Sequence, residues 1–315
     1  MDEATRPVGG VDYPRTYQEF AEWFGDEQAC VDYLAGLRWP DGFVCPRCGG
    51  GESWRTARRL WMCPLCGLKT SVTAGTIFHR SHTPLSTWFA AVWFVCSQKN
   101  GVSALGLQRV LGFGSYETAW AWLHKLRRAM VRPDRDRLAG VVEVDQSFLG
   151  GRAAGQLGAA TDKVPVMIAV ERVDQRRIGR IRLEVAEAPG TLELVDFACD
   201  VVQPGATIRT DGARMFRRLA GLGYTHQPVA GYNAPDIKAV LPGVHLVSSL
   251  LKRWAAGTLH HAISDRHLPY YLDEFTFRFN RRNSRARGML FYRLLQQAVE
   301  TDPHPLTELI HGPRW

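Results

Sequence analysis

Two short strings constrain the first third of this chain more tightly than any other feature: Cys45-Pro46-Arg47-Cys48 and Cys63-Pro64-Leu65-Cys66-Gly67. Thiolates two residues apart in a tight turn both reach one ion, and two such turns complete a closed tetrahedral site. Four of the seven cysteines fall into these pairs, and in a reducing compartment that pattern means metal before disulfide. Cys45, Cys48, Cys63 and Cys66 are therefore expected to hold one structural Zn2+. The span from Trp54 to Met62 reads as the hairpin joining the two knuckles. Four thiolates leave no open coordination position, which argues against catalysis at that ion.

The sequence around the knuckles is helical. Phe20, Trp23, Phe24, Cys30, Tyr33 and Leu34 recur at roughly helical spacing between Thr16 and Leu37, with Gly25-Asp26 as a break between two short helices. The first dozen residues show no periodicity and are expected to be mobile. Leu85 to Cys96 is apolar on most of its circumference, as in the central helix of a bundle. A short helix closed by Gly112 follows, then one opened by Ser115. The last sets Trp120, Trp122, Leu123, Leu126 and Met130 in a stripe beside Lys125, Arg127 and Arg128. Three helices with this turn between the last two look like a helix-turn-helix, which makes Arg127 and Arg128 candidate DNA contacts, although any small helical bundle shares the pattern.

Past a charged, Pro-containing boundary at Pro133 to Ala139 the order of elements changes. The run Val141-Val142-Glu143-Val144-Asp145-Gln146-Ser147-Phe148 reads as a buried strand, and an acid planted near its end needs a partner. Strands at Val164 to Val173 and Gly179 to Ala188, a helix from Thr191 to Val202, and a strand ending at Asp211 follow. Three strands, a helix and a further strand is the ribonuclease-H-like order of a mixed sheet, which sets Asp145 beside Asp211 if both strands are central. Carboxylates at neighbouring strand ends hold divalent metal, here Mg2+ or Mn2+ and two ions for in-line phosphoryl transfer on a nucleic acid. The alternative at each place is a turn or helix-cap aspartate. The Gly/Ala-rich stretch 156–163 lacks a phosphate-loop pattern and reads as a flexible hairpin. Tyr224 to Ala230 offers a fifth strand, and helices follow from Val244, from His267 to Phe279 and from Arg287 to Val299. Between the last two, aromatics alternate with Arg278, Arg281, Arg282 and Arg285, which are candidate phosphate contacts or, alternatively, solvated arginines at a capped helix end.

The net charge of +8 suits a polyanionic partner, though RNA or anionic lipid would fit a basic surface as well as DNA. No apolar stretch reaches the length of a membrane span, and the Met1-Asp2-Glu3 start lacks the regions of a signal peptide. The expected location is cytoplasmic, with the nucleoid when DNA is bound.

The CPRC and CPLCG knuckles, TIFHRSHTPLSTWFAAVW, GVSALGLQRVLGFGSYETAWAWLHKLRRAM, VVEVDQSFLGG, IRTDGARMFRRL, VHLVSSLLKRW and YLDEFTFRFNRRNSRARGMLFYRLL stand in this order. From about Thr16 to about Val299 the chain resembles the insertion-sequence transposases of the IS1595 family, in its ISXO2-like branch, which join a zinc ribbon to an integrase-like DDE catalytic domain. The resemblance implies an α+β multidomain chain: an N-terminal helical segment (residues 1–40), the ribbon (41–78), a helix-turn-helix-like segment (79–138), a ribonuclease-H-like mixed α/β catalytic domain (139–300) and a tail (301–315). It also implies an enzyme that binds the terminal inverted repeats of its own element and moves the element into target DNA by cleavage and strand transfer. Joining two ends implies a homodimer or higher oligomer on DNA. Lys252, with Arg253 beside it, matches the family's phosphate-holding lysine. Two departures stand out. Gln146 replaces the second acid of the family's VEVDE, and Ser249, Leu250 and Leu251 stand where members carry a third metal-binding group. His245 ranks first as a substitute, then Glu274, with His260 or His261 farther along. A domesticated DNA-binding protein that lost its chemistry at this position is the alternative; a junction resolvase leaves the ribbon unexplained.

Overall fold

The computed structural model describes residues 7–132, 135–150, 163–188, 190, 192–229, 240–259 and 265–311. The chain divides into two compact units, residues 1–132 with 284–311 and residues 133–283 with 312–315.

In the first unit, helices α1 (Tyr17–Trp23) and α2 (Glu27–Arg38) are separated at the expected break. Asp26 opens α2 by accepting the N–H groups of Gln28 (2.6 Å) and Ala29 (3.1 Å), two of the donors that a helix start leaves unpaired. Strands β1 (Trp54–Arg55), β2 (Trp61–Met62) and β3 (Lys69–Thr70) form a small antiparallel sheet, with β1 and β2 as the expected hairpin. Arg38, at the end of α2, ties helix to ribbon by donating to the carbonyls of Ser71 (3.1 Å) and Val72 (2.7 Å). Helices α3 (Leu85–Ser97), α4 (Ala104–Leu111) and α5 (Tyr116–Ala129) follow. Pro84 gives α3 no side-chain cap. Glu27 of α2 supplies one from a distance, its two oxygens accepting from Leu85 N–H (2.7 Å) and Ser86 N–H (3.0 Å).

The helix that completes this core comes from the far end of the sequence. α9 (Arg287–Glu300) packs against α2, α3 and α5. Its buried Phe291 lies 5.5, 5.6, 5.7 and 5.7 Å from the rings of Phe20, Phe24, Phe89 and Trp93 respectively. Gly288 is required at the close approach, because a Cβ there would sit 1.4 Å from the Pro14 carbonyl oxygen. Residues 284–300 thus belong to the first unit rather than to the 139–300 span, because the apolar stripe of α9 is what closes the aromatic core. The described part of the N-terminal stretch is also anchored, contrary to the expected mobility. Tyr33 donates to the Asp12 carbonyl (2.6 Å) and Tyr292 to that of Gly10 (3.0 Å). The tail carries a further helix, α10 (Leu306–His311), with Leu309 buried.

The second unit is built on a five-stranded sheet in the order β6-β5-β4-β7-β8. β4 (Val141–Leu149), β5 (Val164–Arg172) and β6 (Ile178–Val185) form an antiparallel run, β4 with β5 and β5 with β6. After α6 (Glu193–Val201), β7 (Thr207–Thr210) returns parallel to β4, and β8 (Thr225–Pro228) lies parallel to β7. β4 is central and covered on both faces, which explains its nearly continuous apolar run. Val142, Val144 and Ile208 pack with Leu194, Phe197 and Ala198 of α6. On the other face Ile168 and Val170 pack with Val244, Val247 and Leu251 of α7 (Pro242–Leu259) and Leu272 and Phe275 of α8 (Leu268–Asn280). No helix among the described residues is long and apolar enough to cross a membrane. The stretch 156–162, read above as a hairpin, lies outside the described residues.

Candidate active site and metal centre

Alternation along β4 turns Glu143, Asp145 and Ser147 away from α6, onto the face covered by α7. Parallel pairing sets Val141 opposite Thr207 and Glu143 opposite Arg209. The pairing ends there; continued two residues farther it would set Asp145 level with Asp211, one residue beyond the end of β7, and the charge of Asp211 is felt at Asp145. Asp145 is half-buried and accepts the Gln146 N–H at 2.7 Å. Burial pushes its carboxyl up to about 6, helped by the neighbouring Asp211 charge and opposed by the Gln146 N–H. Asp211 is exposed, and its Oδ1 accepts from Ala213 N–H (3.0 Å). The turn role expected of such an aspartate and its place beside Asp145 therefore coexist. Thr210, fully buried, anchors this turn through His226 Nε2 (2.9 Å) and Gly212 N–H (3.2 Å).

α7 lies along the acid-bearing face. Its Gly243 and Val244 N–H groups donate to Glu143 Oε2 (2.7 and 3.2 Å), and one turn on Ser248 Oγ meets Ser147 Oγ at 2.6 Å. Helical spacing puts His245, Ser249 and Lys252 on one stripe of that helix. His245 is half-buried and Lys252 exposed. Partial burial lowers the lysine's pKa, and the charge of Lys163 adds to the effect. Among the described residues no third His, Cys, Asp or Glu joins the two aspartates at metal-ligand spacing. Glu274 is committed elsewhere, buried against Arg278 at 2.7 Å, and His260 and His261 lie outside the described residues. Gln146, the departure from VEVDE, accepts the Gly190 N–H at 3.0 Å and so fixes a loop. Two carboxylates on adjacent strands are hard oxygen donors of the kind Mg2+ and Mn2+ select, with water and phosphate able to fill the remaining positions.

The four cysteines converge as their spacing demands, with all four sulfurs within 4.8 Å of one another. Cys45 Sγ lies 3.5 Å from Cys66 Sγ and Cys48 Sγ 3.6 Å from Cys63 Sγ. Zinc–sulfur bonds of about 2.3 Å in a tetrahedron require sulfurs roughly 3.8 Å apart, so the donor set fits structural zinc. The two knuckles repeat one geometry. Cys45 and Cys63 N–H donate to Gly50 and Leu68 carbonyls (2.9 and 3.0 Å), and Gly49 and Gly67 N–H return to Cys45 and Cys63 (2.9 Å each). Gly49 and Gly67 sit at φ 74° and 68°, a region that favours glycine.

The basic residues sort differently from the sequence reading. Arg127 is 2% exposed and lies 3.5 Å from His124, so it packs the interior of the helical unit instead of meeting a phosphate. Arg128 is half-buried. Arg278 is spent on Glu274. Arg281 and Arg282 stack over Phe277 and Phe279 at 4.1 Å each, and Arg282 also donates to the carbonyls of Gly179 (3.1 Å) and Phe279 (2.9 Å). They close the end of α8. Arg253 and Arg285 are exposed. The sequence reading passed over Arg214, Arg217 and Arg218, all exposed on the 3-10 stretch Arg214–Leu222 that follows Asp211. The signal was there: Phe216 and Leu219, both fully buried, stand three apart, the spacing at which a 3-10 turn repeats.

Comparison with known proteins agrees with this division. The sequence pattern of the transposase zinc-ribbon domain matches residues 25–69, taking in α2 with the ribbon, and that of the ISXO2-like transposase domain matches residues 137–280, which falls within the second unit. A Halobacterium salinarum protein described as an uncharacterized protein in transposable element ISH50 is 27% identical over 282 residues, covering 81% of this chain and 91% of that relative. With both domains matched in order over more than half of its length, the chain belongs to the IS1595 (ISXO2-like) family of insertion-sequence transposases.

Proposed function

We propose that this chain is a DDE-type DNA transposase that binds the terminal inverted repeats of its element and catalyses metal-dependent cleavage and strand transfer. One observation carries the reading: the β4–β7 register, which continued two residues would set Asp145 level with Asp211 on one face, with the charge of Asp211 felt at Asp145. The strand order, three antiparallel strands and then two parallel ones around β4, supports a ribonuclease-H-like domain. The α4–α5 pair supports a helix-turn-helix. Gly112 ends α4 at φ 68°, Ser115 caps α5, and Ser115 to Thr118 are exposed at the start of that second helix, the end that reads base edges in such motifs.

Asp145 and Asp211 would hold Mg2+ or Mn2+, which when bound would supply the positive charge needed to activate an attacking hydroxyl and stabilise a leaving oxygen. His245 in the first turns of α7 would be the third donor only after a shift, since it forms no three-ligand group with the two aspartates as the chain stands. Lys252, two turns on from His245, meets a DNA phosphate near the acids, with Arg253 on the flanking backbone; the exposed Arg285, in the first unit, is a separate candidate phosphate contact. Because strand transfer joins two ends, the working form is at least a dimer on DNA.

The test incubates the protein with duplexes carrying the ends of its element, in Mg2+, in Mn2+ and in EDTA. The expected result is cleavage at the element boundary and joined product in either cation and none in EDTA. Tight, specific end binding with no product in any divalent cation would instead identify a domesticated binder.

A further inference from the structure

Glu143 is an unusual group to find at the centre of a sheet. It is 0% exposed. Its Oε2 accepts from the first two N–H groups of α7, while Oε1 has no hydrogen bond and faces two cations, Arg172 Nε at 3.5 Å and Arg209 NH1 at 3.9 Å. Gly243 makes room for it, since a Cβ there would meet Glu143 Oε2 at 2.8 Å. A buried carboxylate needs compensating charge, and Arg172, only 10% exposed, already supplies it at closer range. Arg209 stands farther off, keeps 31% of its side chain exposed, and its guanidinium makes no hydrogen bond among the described residues.

The register explains why that matters. Glu143 and Arg209 form the last paired rung of β4 and β7, and Asp145 and Asp211 each stand two residues farther along the chain, roughly 7 Å on. A guanidinium on that rung reaches a phosphate held at the aspartates. Its planar fork of unspent donors suits two phosphate oxygens, which a lysine offers less well. We infer that Arg209 is a phosphate-binding residue of the active site, directed there by Glu143. This rests on the transposase reading above. Glu143 is a positioning residue: it touches the start of α7, Arg172 and Arg209, not the substrate.

The test compares wild type with Arg209→Gln, Glu143→Gln and the double variant. Three quantities are read: melting temperature without metal, the salt dependence of binding to an end duplex in Ca2+, and strand joining in Mg2+. Arg209→Gln should lower joining by about 10²-fold, the scale of losing one preorganised donor, and flatten the log–log salt slope by about 0.9. Because Arg172 stays beside Glu143 at closer range, Arg209→Gln should melt near wild type, and joining should stay depressed in the double variant. Recovery of joining in the double variant would overturn the inference, because Arg209 would then only neutralise Glu143. Should the glutamine variant fail to fold, Arg209→Lys keeps the charge and loses the fork; a partial loss of joining at wild-type stability is expected, and undiminished joining would overturn the inference. If wild type itself joins no DNA, the transposase reading fails separately. The Ca2+ binding slope then decides: a flatter slope in Arg209→Gln supports the contact, and an unchanged slope overturns it.

Discussion

A carboxyl held half-buried beside a second carboxylate leaves a signature in stability as well as in chemistry. Asp145 titrates in the folded chain near 6, against an ordinary value of 3.8. Between those values the folded chain binds more protons than the unfolded one, so stability falls as pH rises through that window and stays lower above it. Asp145→Asn removes the penalty. In metal-free buffer at pH 7.5 it should stabilise the protein by up to roughly 3 kcal/mol, the worth of about two pKa units, and it should give no gain near pH 3. Thermal melts at the two pH values check this, and equal shifts at both would contradict it. Asp145 and Asp211 were legible in the sequence because an acid at the end of an apolar strand is conspicuous. Glu143 stood two residues away in the same run and carried no such signal. Its role depends on Gly243 and Arg209, whose contacts exist only once the strand register and the α7 packing are set. Arg127 misled for the same reason: a helical stripe gives direction around the helix, not which neighbouring helix will cover it.

At the scale of elements, local signals carried most of the information. Ser115 caps its helix where the sequence analysis opens one, Asp26 caps α2, which starts directly after the expected break, and CPxCG knuckles dictate their own geometry. The placement of α9 was not readable, since its apolar stripe announces burial without naming the partner. Two predictions belong here. Phe291→Ala should destabilise the first unit by about 3–5 kcal/mol, visible as a lowered denaturant midpoint, while Asp145→Asn leaves that transition in place. Zinc chelation should unfold the ribbon and weaken end binding without disturbing the second unit. Metal analysis of protein purified under reducing conditions should find about one zinc per chain, and a zinc-free yet folded ribbon would contradict the assignment.

For the whole molecule the relevant quantities are charge and the chemistry it serves. A surplus of eight positive charges becomes informative only where exposed arginines cluster, as they do just beyond Asp211. Replacing Arg214, Arg217 and Arg218 together by Gln should flatten the log–log salt slope of end binding by about 2.7 if each meets a phosphate; an unchanged slope would remove them from the DNA path. On the proposed function, Asp145 and Asp211 hold the cation that moves DNA strands. The direct measurement is joining of a pre-cut end duplex to target DNA in Mn2+ by wild type, Asp145→Asn and Asp211→Asn, with binding of the same duplex measured in parallel. Wild type should join the strands, and each variant should lose at least ~10³-fold in rate, the scale of several kcal/mol of lost charge stabilisation, while binding the duplex within a few fold of wild type. Joining at wild-type rate by either folded variant would contradict the assignment.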